Sequence, residues 1–256
     1  AFYRDDITAL LATKLSVELA HKTGHRLHIL HLTSGIEADF LTDHCNLPSK
    51  TEGHPIITTE VLPQHLTFDE TDVDEQGVRL QMNPPIRYKI DREILWKRLI
   101  DGTIQCIATD HAPHTLEAKA KGFPNAPSGM PGVETSLAVM LNYVNQGKCS
   151  IEDVVRWMSS NVADCYRMIG KGKLEVGYDG DIVLVDMNRS AVVEDENSWT
   201  RVGWNPFRGR ELTGWPVLTV VEGIPVFERS AGTGQKGRLL VEPGTVGKPL
   251  LMEPWK

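Results

Sequence analysis

The chain has 256 residues, 41% hydrophobic and 24% charged, which is the composition of a globular protein with enough core for one large or two modest domains. Acidic residues outnumber basic ones 34 to 27, and the net charge of −7, with its basic residues scattered, argues against nucleic acid or an anionic membrane as a partner. No apolar run approaches the roughly 18 residues of a membrane span, and the four cysteines show no Cys-x-x-Cys spacing, so we expect reduced thiols in a cytoplasmic protein.

The sequence begins with an alternation of helix and strand. Apolar residues at helical spacing predict a helix over 7–23, which Gly24 is well placed to end. A short apolar run over 26–32 predicts a buried parallel strand. Ser34 is then the expected cap of a helix over 36–44.

The alternation continues through two further strands. β-Branched residues predict a strand over 55–62, which Pro63 ends. Asp91 is the expected cap of the next helix, and an apolar run over 104–108 predicts a strand that leads to Asp110. The pattern so far is that of an α/β protein with a parallel sheet.

The pattern changes after residue 110. Prolines and glycines without periodicity predict a long surface loop up to Gly132. We expect a domain boundary near Gly170, between residues 1–170 and residues 171–256. Helices are predicted over 134–145 and 151–169. A strand is predicted over 182–186, and a β-hairpin is predicted from strands over 217–222 and 224–227.

The stretch IATDHAPH at 107–114 carries the strongest chemical signal. An apolar strand ends there in an aspartate and two histidines, and Pro113 prevents the strand from continuing. Barrel enzymes place their chemistry at the carboxyl ends of their strands, where a carboxylate can bind a divalent cation and move a proton. An isolated Asp-His pair is more often a strand that runs into a polar turn, so the functional interpretation depends on the surrounding motifs.

Further motifs accompany this stretch along nearly the whole chain: LHILHLTSGIEA, EVLPQHL, MNPPIR, ATDHAPHT, SGMPGVETSL and GWNPFRGRELTGWPVLTVVEG. Together they resemble the dihydroorotases of the amidohydrolase superfamily, which interconvert carbamoyl-aspartate and dihydroorotate in pyrimidine biosynthesis. The resemblance covers the back half of the family pattern. The family's opening His-x-His strand, its bridging lysine or aspartate and its next histidine ligand all belong upstream of Ala1.

The resemblance implies a fold class. The expected fold is α/β. Residues 1–170 would form the sixth to eighth strands of a (β/α)8 TIM-like barrel, and residues 171–256 would form part of a small β-sandwich. A complete barrel takes roughly 250 residues, and only about 170 are assigned to it here. We therefore expect the chain to be one part of a longer polypeptide, and to be inactive when it is expressed alone.

The resemblance also assigns a metal site to two strand ends. His31 and Asp110 match metal ligands of the family, whose complete enzymes are expected to hold two zinc ions. Asp110 matches the catalytic proton shuttle as well. Alternate side chains of a strand share one face, so His28 should lie opposite His31, packed or at the surface.

Four further residues match substrate contacts of the family: Asn83, His114, Pro131 and Gly132. His114 matches a contact to the substrate carboxylate. The Pro131-Gly132 loop matches one whose backbone groups meet the substrate ring, and glycine permits such a close approach.

Three polar neighbours of these residues are interpreted structurally. His65 lies past a strand end, so we expect it to support the site without binding metal. Arg87 is a candidate for a structural ion pair, and His111 should point away from the site that Asp110 faces.

Two alternatives to dihydroorotase stay open. One is a related cyclic amidohydrolase, such as a hydantoinase or allantoinase, with the same metal chemistry. The other is a catalytically silent subunit that assembles with a transcarbamoylase. The matches of Asn83, His114 and the SGMPGVE loop favour dihydroorotase, with a small-molecule substrate and a homo-oligomeric assembly. The residues encoded upstream of Ala1 would separate the enzymes from the silent subunit.

Overall fold

The structure is a computed structural model that describes residues 4–45, 57–229 and 236–253. Its first element, helix α1 (Asp6–Thr23), is the predicted amino-terminal helix. The Asp5 side chain accepts a hydrogen bond from the Thr8 N–H at 2.7 Å, and Gly24 ends the helix at φ 70°. A side chain in this left-handed region costs about 1–2 kcal/mol, which explains the glycine.

Three parallel strands form the first sheet, in the order β1-β2-β3. They are β1 (Leu27–Ile29), β2 (Ile57–Val61) and β3 (Cys106–Ile107). Every residue of the central strand β2 is buried, as is usual in a parallel sheet that is covered on both faces. All three predicted strands are present and shorter than predicted, and residues 55–56 lie outside the described residues.

Short helices follow the strands of this sheet. They are α2 (Gly35–Phe40), α3 (Pro63–Thr67), α4 (Glu70–Gln76) and α5 (Lys89–Ile100), with 3-10 turns at Leu41–Asp43 and Gly77–Leu80. Pro63 ends β2 as predicted and begins α3, because proline is tolerated in the first turn of a helix. Leu95 and Leu99 of α5 pack with Ile57 and Val61 of β2 in one apolar core.

Asp91 differs from its predicted role, because the cap residue of α5 is Tyr88. Asp91 is buried and accepts hydrogen bonds from two backbone N–H groups, that of Tyr88 at 3.3 Å and that of Gly35 at 2.7 Å. Ser34 precedes α2 as predicted, but its side chain makes no capping bond. One carboxylate therefore accepts a hydrogen bond from one backbone N–H group at the amino-terminal end of each helix, α2 and α5.

The predicted loop after residue 110 contains one short helix, and the predicted helices that follow it are present. These elements are α6 (Leu116–Lys119), α7 (Ser136–Asn145), α8 (Ile151–Val155), a π-helical turn at Arg156–Ser160 and α9 (Asn161–Tyr166). The last helical stretch ends at Arg167, in the left-handed conformation at φ 51°, before the predicted end at residue 169.

The carboxyl-terminal segment forms one antiparallel sheet in the order β4-β5-β6-β7. Its strands are β4 (Ile182–Val192), β5 (Glu211–Val221), β6 (Ile224–Glu228) and β7 (Arg238–Leu239). Within the described residues this segment forms a single sheet, and its place as one part of a β-sandwich stays a prediction. Helix α7 packs on β5 instead, and Asn145 of α7 donates hydrogen bonds to the carbonyls of Met187 and Thr213.

Two prolines of the hairpin lie inside its strands. Pro216 in β5 and Pro225 in β6 both occur beside shifts in strand register. Proline cannot donate to a strand ladder, so it is tolerated where the regular pairing is interrupted.

One apolar core runs through both sheets. Trp204, Phe207, Leu212 and Trp215, from the carboxyl-terminal segment, belong to the same cluster as the residues of β2 and α5. The boundary near Gly170 stays a prediction, and packing crosses it. None of the described helices combines the length and the apolar character that a membrane crossing needs.

Candidate active site

The two predicted metal ligands lie at the carboxyl edge of the parallel sheet. His31 follows β1 by two residues, and Asp110 follows β3 by three. Both have left-handed backbones, with φ 38° and 44°, and they are two of the four non-glycine residues with positive φ in the described part of the chain. Such strain costs about 1–2 kcal/mol per residue and concentrates at functional sites.

The central strand holds these two strand ends in place. The Leu32 N–H donates to the Glu60 carbonyl at 2.9 Å, and the Ala108 N–H donates to the Val61 carbonyl at 3.1 Å. These bonds extend the pairing with β2 up to the neighbours of His31 and Asp110, which puts both residues on one rim of the sheet. Convergence of their side chains on one pocket stays a prediction.

The surroundings of His31 fit a metal ligand. Its Nδ1 is buried and has no hydrogen-bond partner among the described residues. An unsatisfied buried nitrogen costs about 1–3 kcal/mol, and a neutral imidazole nitrogen is a usual zinc ligand. His31 lines a cleft of about 250 Å³ together with Thr13, Glu37 and Pro84.

The described residues by themselves do not complete a metal site. Nowhere in residues 4–45, 57–229 and 236–253 do three histidine, cysteine or acidic side chains group so as to hold a metal ion. A catalytic zinc normally has about three protein ligands. His31 and Asp110 therefore fit zinc as a partial set, which ligands from outside these residues would have to complete.

Glu37 is a buried carboxylate beside His31 that the sequence analysis did not single out. Burial raises its pKa, while the hydroxyl of Thr13, which donates a hydrogen bond to it, and the charges of Arg87 and His31 oppose that shift. The motif GIEA carries this residue on the first turn of α2, where a glutamate is normally exposed, so its burial could not be predicted from the sequence.

His28 is packed, which is one of the two predicted outcomes. Its Nδ1 lies 2.7 Å from the Thr58 hydroxyl, and its Nε2 lies 3.1 Å from a carboxylate oxygen of Glu60. The other oxygen of Glu60 accepts the backbone N–H of His31 at 3.4 Å. Glu60 thus connects the packed histidine to the proposed ligand.

The segment that carries Asp110 is fastened to the SGMPG loop. The Ala112 N–H donates to the Met130 carbonyl at 3.1 Å, and residues 111 and 130 form a parallel bridge. The Nδ1 of His111 accepts the N–H groups of Gly132 at 3.1 Å and Val133 at 3.3 Å. His111 therefore joins the two segments, through hydrogen bonds that could not be predicted from the sequence.

Gly132 is required by packing. Both of its backbone polar groups are engaged within the chain, the N–H by His111 and the carbonyl by the Ser136 N–H at 3.1 Å. A Cβ at this position would lie 2.9 Å from the Thr109 carbonyl oxygen and 3.0 Å from the Gln64 side-chain nitrogen. A ligand could take the Gly132 N–H only by displacing His111, and Pro131, which has no N–H, can offer only its carbonyl.

His114 is held from two sides. Its Nε2 donates to the Ser128 carbonyl at 3.1 Å, and its own carbonyl accepts the indole N–H of the buried Trp204 at 2.7 Å. Because a carbonyl only accepts, Nε2 carries a proton, and Nδ1 is the ring nitrogen left for a ligand.

Asn83 is exposed in the segment that leads to α5, next to the cis peptide bond between Asn83 and Pro84. Arg87 is structural as expected, but it makes no ion pair within the described residues. Its guanidinium donates to the Thr33 hydroxyl at 2.9 Å and to the carbonyls of Arg4 and Asp5 at 3.1 and 3.3 Å.

His65 is buried on α3, as a supporting residue would be. The residue is only 3% exposed, and its Nδ1 has no hydrogen-bond partner among the described residues. Burial lowers the pKa of His65 to about 3, and the nearby charges of His31 and Arg87 act in the same direction, so the imidazole is neutral at pH 7.

Comparison with known proteins identifies the family of this chain. The sequence model of the amidohydrolase family matches residues 11–226. The chain is 36% identical over 218 residues to a dihydroorotase of Anoxybacillus flavithermus, an alignment that covers 84% of this chain and 49% of that protein. It is 34% identical to a dihydroorotase of Pyrococcus abyssi, with 94% and 56% covered.

Among solved structures, the chain is similar to the L-hydantoinase (dihydropyrimidinase) from Arthrobacter aurescens, with a TM-score of 0.79, 30% identity, and 90% of this chain and 49% of that chain covered. The dihydropyrimidinase from Brevibacillus agri gives a TM-score of 0.78 at 26% identity, with 88% and 50% covered. The chain spans about half the length of the curated relatives it matches. With a family match over most of its length and strand-end residues on one rim, the chain belongs to the amidohydrolase family, and its motifs are those of the dihydroorotases.

Proposed function

We propose that the protein to which this chain belongs is a dihydroorotase, which reversibly hydrolyses dihydroorotate to N-carbamoyl-L-aspartate. The observation that carries the proposal is the attachment of the Asp110–His114 segment to the Met130–Gly132 loop at the carboxyl edge of the sheet. This attachment brings a candidate acid–base group and candidate substrate contacts into one unit. The similarity to dihydroorotases at 34–36% identity supports the choice of substrate.

The whole protein is proposed to be a (β/α)8 barrel, with 1–170 forming its last strands and 171–256 a β-rich tail. Within the described residues β1 pairs on one side only. Helix α1 contacts β1 and lines a cleft with it. It exposes four apolar side chains at four-residue spacing, each between 49 and 62% exposed: Ile7, Leu11, Leu15 and Leu19. An open parallel strand edge beside an apolar helix stripe is a surface that another βα unit of the same barrel would cover.

The proposed cofactor is zinc, two ions in the complete enzyme. His31 and Asp110 would hold it together with ligands from another part of the polypeptide. Bound there, zinc would polarise the ring carbonyl and activate the attacking water. The Nδ1 of His31, which is buried and has no partner among the described residues, supports this assignment.

The protein's own groups perform the proton transfer and the binding. Asp110 accepts a proton as water attacks and delivers it to the leaving amide nitrogen, and in ring closure it takes the proton from the ureido nitrogen. His114 meets the substrate carboxylate as an imidazolium, in which Nε2 donates to the Ser128 carbonyl and Nδ1 donates to the substrate. Asn83, which is exposed, offers an amide that both donates and accepts, and Pro131 offers its carbonyl.

A hydantoinase-type activity is the second candidate, because solved structures of an L-hydantoinase and a dihydropyrimidinase resemble the chain at 30% and 26% identity. A silent subunit that assembles with a transcarbamoylase is the third. The reduced state of the four cysteines, all free thiols, supports a cytoplasmic location, and a homo-oligomer is proposed as well.

The test compares the polypeptide encoded by the full reading frame with the 256-residue chain alone. We expect the full polypeptide, loaded with zinc, to turn over dihydroorotate and carbamoyl-aspartate with a kcat/KM at least about 100-fold above that for hydantoin or dihydrouracil, because discrimination by polar contacts is large. The chain alone should be inactive, since two ligands do not hold a catalytic zinc. A preference for hydantoin would select the second candidate, and zinc-loaded protein inactive on every ring would select the third.

A further inference from the structure

Lys119 is the last residue of α6 and is completely buried. Its ammonium group donates to three backbone carbonyls, those of Gln81 at 2.7 Å, Gly129 at 2.9 Å and Pro127 at 3.1 Å. An ammonium has three N–H donors, so three acceptors use all of them. The group therefore cannot donate to a substrate without giving up a contact within the chain.

A lysine buried in this way is costly to the fold. Burial lowers its pKa to about 8, and no carboxylate of the described residues pairs with it. Lysine is almost never fully buried without a charged partner, because its desolvation must be offset by other contacts. A methionine or leucine would fill the same space without that cost, so the three carbonyl contacts are what distinguish lysine here.

The three carbonyls belong to the segments that carry the proposed substrate contacts. Gln81 lies two residues before Asn83, and Gly129 lies two residues before Pro131. Ser128, between two of the lysine's acceptors, accepts the hydrogen bond from His114. Direct bonds reinforce the same junction, with the Gly129 N–H donating to the Gln81 carbonyl at 3.0 Å and the Gln81 side chain donating to the Ala126 carbonyl at 2.7 Å.

We propose that Lys119 is a positioning residue, which holds the Asn83, His114 and Pro131 segments at the mutual spacing that the anionic substrate requires. The inference rests on the proposed function, since it assigns a role to these contacts. Removal of the ammonium takes one hydrogen bond from each of three carbonyls and makes no direct change at Asp110, whose segment keeps its own Ala112–Met130 and His111–Gly132 hydrogen bonds. Substrate binding should therefore suffer more than the proton-transfer step.

The test uses the full-length polypeptide with Lys119→Met, which keeps the length of the side chain and removes its donors. Lys121→Met is the matched control, because Lys121 is an exposed lysine in the same loop. We expect KM for dihydroorotate to rise about 10-fold or more in Lys119→Met while kcat changes less than about 3-fold, as for loss of an interaction made in both ground and transition states. The control should match the wild type.

Amide hydrogen exchange gives a readout that does not depend on activity. In Lys119→Met, exchange should accelerate in 81–83 and 123–133 by about 10-fold or more, and stay as in the wild type within β2 and α5. Lys119→Gln, which keeps two N–H donors, should fall between wild type and Lys119→Met, and it replaces Lys119→Met if that variant does not fold. An unchanged KM with unchanged loop exchange, or acceleration spread evenly over the chain, would overturn the positioning role. Inactivity of the wild type together with selective loop exchange would count against the proposed function only.

Discussion

His65 makes the stability of this protein depend on pH in a way that can be calculated. The residue is 3% exposed, its Nδ1 lacks a partner within the described residues, and its Nε2 lies 3.4 Å from the Pro84 carbonyl. Burial lowers its pKa from 6.5 to about 3. As the pH falls, His65 therefore becomes protonated near pH 6.5 in the unfolded chain and only near pH 3 in the folded chain. The stability contributed by the neutral imidazole is complete above pH 6.5 and is lost as the pH falls toward 3.

The magnitude follows from the two pKa values. The proton linkage of one group amounts to RT ln[(1 + 10^(6.5−pH))/(1 + 10^(3−pH))], which is about 0.2 kcal/mol at pH 7 and about 2.7 kcal/mol at pH 4.5. Protonation of this one group should thus lower the free energy of unfolding by about 2.5 kcal/mol between these two pH values. That is a large fraction of the roughly 5–15 kcal/mol by which proteins are stable.

Urea unfolding of the purified chain at pH 7 and pH 4.5, with chelator present, measures this loss. His65→Gln removes the titrating group, so its loss of stability between the two pH values should be about 2.5 kcal/mol smaller than that of the wild type. His25→Gln is the matched control, because His25 is exposed just after α1, and its pH dependence should follow the wild type. A His65→Gln variant with the full wild-type dependence on pH would refute the reasoning.

Three further predictions concern the site and the fold. In the full-length enzyme, Asp110→Asn should lower kcat in both directions by about 10²–10⁴-fold. The control is Asp74→Asn, at an exposed aspartate, and it should match the wild type. A near-normal kcat in Asp110→Asn would place the proton shuttle elsewhere. His114→Ala should raise KM for the anionic substrate with little change in kcat, and steady-state kinetics showing the reverse would contradict its binding role. Asp91→Ala should lower the free energy of unfolding in urea by about 1–4 kcal/mol, since two helix ends each lose a capping bond, and a loss below 0.5 kcal/mol would show that water replaces both.

Local patterns in the sequence were sufficient for the first half of the fold. The helix over 7–23 and its end at Gly24 are as predicted, because periodicity and capping depend on neighbours within a few residues. The strands before His31 and Asp110 were predicted for the same reason, and so was the position of both residues at strand ends. Membership in the amidohydrolase family was also evident from the motifs, which the family comparison confirms.

Contacts between distant segments were decided only by the tertiary structure. Asp91 looked like the cap of its own helix, and the Gly35 N–H that it also accepts lies 56 residues away in the sequence. Lys119 and His111 carried no local signal, because their partners come from other loops. Within the described residues the β-rich segment forms one sheet that packs on α7, a contact that the strand pattern could not show, since that pattern specifies which face is buried and not what covers it. The sequence determined where the chemical groups stand along the chain, and long-range hydrogen bonding and packing determined which of them meet.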